Sequence, residues 1–473
     1  MVQPGLGAMP PRAMCHGVFL TKIKVCHPRL PHTAILGALP PSSRGSTVLV
    51  QNVVCKRLRI KGRTLLPIVQ GGMGVGVSAH RLAGTVASLG AVGTISSVDL
   101  RRHHPDLMEQ SRRSRDRQLI DSLNLEALRR EVVAALQLAS GNGLVAVNVM
   151  RAVSSYASYV TQACESGAGA VVVGAGLPLD LPELTADFPN VALIPILSDA
   201  RGIGLVLKKW MRRNRLPDAI VIENPRYAAG HLGAPTLDGL DHPNYASQQV
   251  LEGARELFKT LGLEAENIPL IVAGGIHRHE QVRHLLDLGA SAVQLGTAFA
   301  VTEEGDAHPN FKKVLAEAKP EDIVTFMSVA GLPARAVRTP WLASYLEKEQ
   351  KLQRAAKPRR CTVGFDCLQQ CGLRDGIGKH GQFCIDMRLA HALSGNIERG
   401  LFFRGSETLP FGHAIRPVRE LLDYLLGGAT QARAGDRGCH LFGAGTTVHP
   451  NGCPTGTLLR PSLSSVRKDQ SAQ

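Results

Sequence analysis

The residues best suited to chemistry in this chain lie in one loop, 223-ENPRYAAGHLGAPT-236. His231 follows Ala-Ala-Gly and precedes Leu-Gly-Ala-Pro, and so much glycine and proline argues against a helix there. Because imidazole titrates near neutral pH, His231 is a candidate proton acceptor. Glu223 could bind a ligand, orient the loop or cap the next turn. The chain has 17 histidines, so a surface role for His231 is the alternative.

Two clusters of small residues point to an anion. They are Ala273-Gly274-Gly275-Ile276 and Gln294-Leu295-Gly296-Thr297, each at the end of an apolar run. Small residues expose backbone N–H groups, and the start of a following helix adds a favourable potential for negative charge. The pair predicts a phosphate-bearing cofactor or substrate, with simple packing as the alternative.

Two further strand ends suit the polar edge of a flat ligand. Glycines in the run Gln70-Gly71-Gly72-Met73-Gly74 would let the backbone approach a ring without a Cβ between them. Asn148 can both donate and accept hydrogen bonds. The alternatives are a tight turn at the glycines and an Asn148 satisfied by neighbouring backbone.

Eight apolar runs, separated by stretches of helical length, must position these residues. Continuously apolar runs are typical of parallel strands buried on both faces, and eight strand–helix units favour an α/β fold of the TIM (β/α)8 barrel type over an open doubly wound sheet. In such a barrel the strands' C-terminal ends share one face, so the candidate residues would meet there. The predicted strands are 65–70, 91–96, 143–149, 168–174, 191–197, 218–223, 269–275 and 291–297, with helices at 78–90, 152–166, 200–214, 246–261 and 278–288.

The predicted barrel occupies residues 61–320. Residues 321–426 are expected to be mostly helical and to form a lid or a smaller second domain, and 427–473 a disordered tail. Residues 1–98 carry 11 Lys or Arg and no acid, which leaves a net charge of only +4 for residues 99–473. We therefore interpret residues 1–60 as a disordered basic extension, with a targeting segment as the alternative.

Composition limits the class of protein. No apolar run approaches the roughly 18–20 residues that cross a bilayer, so no membrane is expected. Ten cysteines in 473 residues suit a reducing cytosol and a cytoplasmic location. The basic excess is confined to the N-terminus, so no nucleic acid is expected. A nucleic-acid or partner-binding protein using that tail is the non-enzymatic alternative.

Two C-terminal groups of residues are further candidates for binding a metal or an anion. Cys361, Cys367, Cys371 and Cys384 could hold zinc or an iron–sulfur cluster, but their C-x5-C-x3-C-x12-C spacing matches neither a zinc ribbon nor a ferredoxin run. We therefore predict no metal and uncoordinated cysteines. Arg335 and Arg338, on a predicted loop flanked by glycine and proline, could steer an anionic ligand or simply be exposed.

Five motifs together resemble the nitronate monooxygenase family, formerly called 2-nitropropane dioxygenases, over roughly residues 60–340. Related flavin-type enoyl-acyl-carrier-protein reductases and NAD(P)H:quinone reductases share much of the pattern. One departure is Ala-Ala-Gly-His at 228–231, where the family usually has Gly-Gly-His. The motifs are PIVQGGMGVGVS, VNVM, ENPRYAAGHLGAP, IPLIVAGGI and GASAVQLGTAF.

The resemblance implies a noncovalent FMN. Gly72, Met73 and Asn148 would contact its ring, and His231 would be the catalytic base. The phosphate would lie on Gly274, Gly275, Gly296 and Thr297, with the remaining cofactor contacts at Gly71, Glu223, Ala273 and Gln294.

The implied reaction oxidises nitronates or nitroalkanes with O2 to a carbonyl compound and nitrite. The alternative function is an NAD(P)H-dependent reductase of an enoyl thioester or quinone. NAD(P)H is also a candidate reductant for the nitronate-oxidising enzyme. The oligomeric state stays open, with a homodimer as one alternative.

Overall fold

A computed structural model describes residues 56–263 and 268–427. Most of the predicted N-terminal extension and the predicted tail beyond Gly427 lie outside the described residues, so both stay predictions. The end of the predicted extension needs correction, because Leu58–Ile60 form a strand (β1) that pairs antiparallel with Arg63–Leu65 (β2). Leu58 and Ile60 are buried while Arg59 between them is exposed, which is the alternation that fixes a strand.

All eight predicted barrel strands are confirmed, and they close into a parallel barrel in which the last two strands complete the ring beside the first. Each strand is buried almost throughout, as the continuous apolar runs predicted. The open-sheet alternative is wrong because Val293–Leu295 pair with Ile68–Gln70. The strands are Ile68–Gln70 (β3), Val92–Ser96 (β4), Leu144–Met150 (β5), Ala170–Gly174 (β6), Ala192–Leu197 (β7), Ile220–Glu223 (β8), Leu270–Ala273 (β10) and Ala292–Leu295 (β11).

The barrel interior is a packed core of small and branched side chains. Val172, Ile194 and Val221 pack there together with Leu58 and Leu65 of the β1–β2 hairpin. Because the hairpin joins this cluster ahead of β3, it closes the end of the barrel from which the strands start. The opposite end, where the strands finish, is left for function.

Ten α-helices accompany the barrel strands in the described part of residues 61–320. The five predicted helices are among them and are confirmed. Helix 200–211 shows why they form: the Asp199 side chain accepts a hydrogen bond from Gly202 N–H at 2.7 Å, and Ile203, Val206 and Trp210 form its buried face. The helices are His80–Ser88 (α1), Pro105–Ser111 (α2), Arg117–Ala139 (α3), Tyr156–Glu165 (α4), Leu181–Leu184 (α5), Ala200–Met211 (α6), Ser247–Thr260 (α7), His279–Asp287 (α8), Thr297–Ala300 (α9) and Pro309–Glu317 (α10).

The C-terminal region contains two strands that the sequence analysis did not predict. Ile323–Met327 (β12) and Pro333–Val337 (β13) pair antiparallel, and β13 also pairs with the short strand Gly230–His231 (β9). The prediction of a mostly helical region failed here because β12 and β13 pair as a hairpin, and β13 gains a second partner, β9, that is distant in sequence. The helices of this region are Pro340–Arg354 (α11), Gly372–Asp375 (α12), Ile385–Leu393 (α13) and Val418–Leu425 (α14).

The last helix returns to the barrel wall. Val418, Leu421, Leu422 and Leu425 of α14 belong to the same apolar cluster as the outer faces of the barrel strands. The region 321–427 thus reaches both the barrel's open end and its flank, and the described residues belong to one compact unit. Among residues 56–263 and 268–427, no helix is long and apolar enough to cross a membrane.

Candidate active site

A cavity of about 290 Å³ lies at the C-terminal ends of the barrel strands. It has a barrel side, made by strand ends and the loops that follow them, and a C-terminal side, made by residues between 367 and 409. The structure brings every residue predicted for the site to this cavity, namely Gly71, Gly72, Met73, Asn148, Glu223, His231, Ala273, Gly274, Gly275, Gln294, Gly296 and Thr297.

Glycine is required where β3 ends. A Cβ on Gly72 would lie 2.4 Å from Asn148 Cβ, a distance at which one of the two residues would have to move. A Cβ on Gly71 would lie 3.3 Å from the Gln294 side chain, so the bare backbone of β3 lets two neighbouring side chains occupy this space. Met73 Sδ is 3.7 Å from the corresponding position on Gly296.

Asn148 and Gln70 show how a ligand-facing amide differs from a structural one. Gln70 is fully buried, and its amide accepts from Thr94 N–H at 2.8 Å and donates to Thr94 C=O at 3.0 Å. Asn148 is half-buried at the cavity wall, and its amide makes one long contact, 3.4 Å to Val172 C=O. Gln70 therefore ties β3 to β4, whereas most of the hydrogen-bonding capacity of Asn148 is left for a ligand.

The ends of β10 and β11 form a backbone cradle. Gly274 and Gly275 have φ of +97° and +76°, in the left-handed region that favours glycine. A Cβ on Gly274 would lie 2.9 Å from Asn224 C=O, and one on Gly275 would lie 2.8 Å from Tyr227 Cγ. Side chains are thus excluded from this wall, which leaves backbone amides at its surface.

Thr297 links this cradle to the C-terminal side. It begins α9 directly after Gly296, and its hydroxyl accepts a hydrogen bond from Gly405 N–H at 3.1 Å. Gly405 lines the same cavity and fits closely, because a Cβ there would lie 3.0 Å from Tyr227 C=O. The two sides of the cavity therefore meet at the cradle.

His231 faces the cavity as a neutral imidazole. Its Nε2 is buried without a hydrogen-bond partner in the part of the chain that the structure describes, and the Phe403 ring centroid is 5.9 Å from its own. Burial lowers the pKa of His231 to about 4, because the cationic form would lose its hydration. At neutral pH one ring nitrogen therefore carries no proton and can accept a proton or a hydrogen bond.

The backbone around His231 is held by a residue whose predicted location was wrong. Arg335 was expected on a loop, where it could meet an anion, but it lies on β13 and is buried. Its guanidinium donates to Pro225 C=O at 3.2 Å and Ala228 C=O at 2.5 Å. Arg335 thus fixes the loop that carries His231, while Arg338 is exposed and lies outside the cavity lining.

Glu223 supplies a second titratable group. It ends β8 in register with Ala273 of β10 and lines the same cavity as His231. Burial raises the pKa of Glu223 to about 7, so near neutral pH its carboxyl group is partly protonated. It can therefore donate as well as accept a hydrogen bond to a ligand.

Sequence reasoning missed the C-terminal side of the cavity. Local pattern gave no signal, because these residues reach the site only through long-range contacts. The nearest hint is 401-LFFRG-405, in which the buried Arg404 donates to Leu315 C=O at 2.8 Å and fixes the segment. The missed residues are Tyr227 on the barrel side and Cys367, Ile385, Asp386, Leu389, Leu401, Phe403, Gly405 and Glu407 on the C-terminal side.

The four candidate cysteines lie together. Cys361, Cys367, Cys371 and Cys384 line one small cavity, and Cys367 also lines the large one. All four are free thiols, and burial raises the pKa of Cys384 to about 11. Within residues 56–263 and 268–427, no group of three or more His, Cys, Asp or Glu side chains is arranged to hold a metal ion.

Comparison with known proteins gives this geometry a family. The family model described as nitronate monooxygenase matches residues 57–428, nearly all of the described chain. The chain belongs to the nitronate monooxygenase family. Membership places it in a family of flavin-dependent oxidoreductases.

Individual relatives match shorter segments. A Bacillus subtilis protein named "Probable nitronate monooxygenase" is 33% identical over 113 residues, which cover 24% of this chain and 32% of that protein. The nitronate monooxygenase of Pseudomonas aeruginosa is 35% identical over 69 residues, covering 15% of this chain and 20% of that enzyme. These two alignments span a third or less of each relative's length.

Solved structures share the fold over a longer stretch. FabK from Thermotoga maritima superposes with a TM-score of 0.53 at 22% identity, covering 76% of this chain and 91% of FabK. The nitroalkane oxidase of Streptomyces ansochromogenes gives a TM-score of 0.52 at 20% identity, covering 78% of this chain and 97% of the oxidase. Both similarities support the barrel fold of this nitronate monooxygenase family member.

Proposed function

We propose that the protein is an FMN-dependent nitronate monooxygenase that converts alkyl nitronates or nitroalkanes and O2 to carbonyl compounds and nitrite. The observation that carries the proposal is a neutral, unpartnered His231 Nε2 in the same cavity as a glycine cradle suited to a phosphate. Oxidation of a neutral nitroalkane requires a base beside the cofactor, and the base and the anion site lie in one cavity.

The cavity fits FMN on two independent features. Gly274 and Gly275 in left-handed backbone, beside Gly296 and Thr297, offer amides and a hydroxyl to a phosphate. The side-chain-free surface at Gly72, beside the underused Asn148 amide, suits a flat ring with polar edges. When bound, FMN would supply the redox chemistry, and the protein would supply position, a base and restricted water.

His231 would accept the α-proton of a neutral nitroalkane at Nε2. Its low pKa keeps that nitrogen unprotonated at neutral pH, and Arg335 keeps the loop in place through Pro225 and Ala228. Phe403 and Leu401 cover the same space with apolar surface, which limits access of water to the acceptor. A nitronate has already lost this proton, so its oxidation would not need the base.

Substitution of His231 tests the proposal. His231→Asn, purified with FMN bound, should lose about 10²–10⁴-fold in kcat/KM for a neutral nitroalkane such as 2-nitropropane. Turnover of propionate 3-nitronate should fall far less, because no proton is removed from it. Oxygen consumption and nitrite release measure both reactions.

A matched histidine controls for nonspecific effects. His284 is exposed on α8 and lies outside the cavity lining, so His284→Asn should leave both reactions unchanged. Equal losses on both substrates in His231→Asn, with FMN retained, would remove the assigned role. Anaerobic flavin reduction by NADPH without nitrite formation from either substrate would instead favour the reductase alternative.

A further inference from the structure

Four of the five free cysteines in the described residues converge on one place. The four line a single small cavity beside the C-terminal side of the large one, whereas the fifth, Cys164, is buried in the apolar core on α4. Between α11 and α13 the chain forms only one short helix, so most of residues 355–384 wrap around this cavity as irregular backbone. The converging residues are Cys361, Cys367, Cys371 and Cys384.

Two of the four sulfurs accept hydrogen bonds from backbone N–H groups. Cys371 Sγ accepts a hydrogen bond from Arg374 N–H at 3.5 Å, and the Met387 N–H is directed at the Cys384 sulfur. Backbone N–H groups of this kind stabilise negative charge on ligating sulfur. Arg360 also lines the cavity and would offset part of that charge, whereas the guanidinium of Arg374 is already paired with Asp375 at 2.6 Å.

The Cys367 sulfur has the other three cysteines near it. Asp386, Cys384, Cys371 and Cys361 all lie close enough to act on its electrostatic environment. Asp386 itself is paired with Arg102 at 2.7 Å. Four thiols are therefore close enough to influence one another, in a cavity that also contains N–H donors and cations.

A single ion and a cluster make different demands on the positions of the four sulfurs. A single tetrahedral ion, with Zn–S bonds of about 2.3 Å, would need sulfurs only ~3.8 Å apart. No group of His, Cys, Asp or Glu side chains in the described ranges is arranged for a single ion. An iron–sulfur cluster binds each thiolate to a different iron and therefore accepts a wider ring of sulfurs.

We propose that Cys361, Cys367, Cys371 and Cys384 bind one [4Fe–4S] cluster, with one thiolate on each iron. Cys367 and Ile385 line both cavities, so the cluster would lie directly beside the cavity assigned above to the flavin. The assignment replaces the expectation of uncoordinated cysteines, because linear spacing gave no match and only the folded chain shows the convergence. The cluster proposal does not depend on the proposed oxidation of nitronates.

Metal and sulfide analysis tests the proposal directly. The full chain is expressed and purified without oxygen, or reconstituted with ferrous iron and sulfide. About four irons and four acid-labile sulfides per chain are expected. Reduction with dithionite should give an electron paramagnetic resonance signal distinct from that of the flavin.

Cysteine variants separate the cluster from adventitious iron. Cys367→Ser and Cys384→Ser should lose most of the iron and sulfide together with the resonance signal, and Cys164→Ser should keep all three. Cys361, which is only half-buried, provides a gentler variant, Cys361→Ser. Circular dichroism and FMN content report whether each variant is folded.

Three results would overturn the proposal. They are one zinc per chain without sulfide, iron content that is the same in Cys367→Ser as in Cys164→Ser, and no loss of titratable thiols when the wild-type chain is reconstituted without oxygen. Because iron, sulfide and the reduced-state signal are measured without turnover, failure here is distinguishable from failure of the nitronate assignment.

Discussion

The two sides of the cavity are built from different materials. The barrel side is largely backbone: Gly72, Gly274 and Gly275 leave no room for a Cβ, so strand ends present amides directly to the cavity. The C-terminal side is largely side chain, with Leu401 and Phe403 among the residues that line it. Backbone fixed by a closed barrel gives a rigid surface for a cofactor, whereas side chains on a later segment can set access and environment.

His231 stands at the junction of the two sides. Its loop leaves the barrel after β8, yet its backbone pairs with β13 at Ala334, and Arg335 binds the carbonyls of the preceding turn. The barrel therefore determines where the loop that carries His231 begins. The C-terminal region orients the His231 backbone through β13 and contributes to the burial that lowers its pKa. Substitutions on each side of the cavity can therefore separate the two contributions.

The largest expected effect is on the barrel side, in Gly275→Ala. The added Cβ would lie 2.8 Å from Tyr227 Cγ in a left-handed backbone, and overpacking of this kind costs about 1–3 kcal/mol, or roughly fivefold to more than a hundredfold in the Kd of FMN. Gly141 has a similar φ of +81° with nothing within 4 Å of its Cβ position. Gly141→Ala should therefore lower stability but leave the Kd of FMN, measured by fluorescence quenching, unchanged. Equal Kd values for the two variants would contradict a cradle at Gly275.

The next effect is the pH dependence of neutral nitroalkane oxidation. Protonated His231 cannot accept a proton, so kcat/KM should fall about tenfold per pH unit below its pKa of about 4 and stay level above it. Glu223, with a pKa of about 7, would as the base give a fall beginning near neutrality. A fall centred near pH 7 that disappears in Glu223→Gln would transfer the role of base to Glu223.

A smaller effect is expected from the C-terminal side, in Arg335→Leu. It would leave the Pro225 and Ala228 carbonyls without their buried donor, at about 1–3 kcal/mol. We expect kcat/KM for a neutral nitroalkane to fall by roughly tenfold while FMN stays bound, because the cradle is built by other strands. Arg338→Leu, an exposed neighbour, is the control and should change neither quantity. Loss of FMN in Arg335→Leu alone would show that the two sides are not separable.

The smallest effect is on thermal stability, in Glu223→Gln. The folded-state pKa of Glu223 is raised from 4.5 to about 7, so the stability that it contributes at low pH is lost as pH rises through this window. Glu223→Gln removes the cost of a buried charge and should raise Tm by about 1–3 °C at pH 8, with no gain at pH 4. Paired melting curves at the two pH values measure it, and an equal gain at both would mean that ionisation of Glu223 is not the cause.

Much of the barrel side could be predicted from the sequence. Eight apolar runs identified the eight strands, and the rule that active residues follow the ends of barrel strands selected Gly72, Asn148, Glu223 and His231 before any contact was known. Local pattern sufficed because each of these residues lies near the end of a predicted strand or in the loop that follows it.

The C-terminal side could not be predicted in the same way. Phe403 meets His231 across more than 170 positions of sequence, and β13 pairs with the distant β9 as well as with its neighbour β12. The same holds for Arg335, whose type suggested an anion ligand and whose burial makes it a support for a loop. Side chains that meet across such separations leave no local periodicity to read.

Sequence by itself determined the barrel, the glycine-rich strand ends and the candidate base, because burial on both faces and freedom from a Cβ are properties that residue types record directly. Tertiary structure alone decided the protonation state of His231, the role of Arg335 and the meeting of four cysteines. Each of these depends on the dielectric environment or the distance between groups far apart along the chain, and neither quantity exists until the chain has folded.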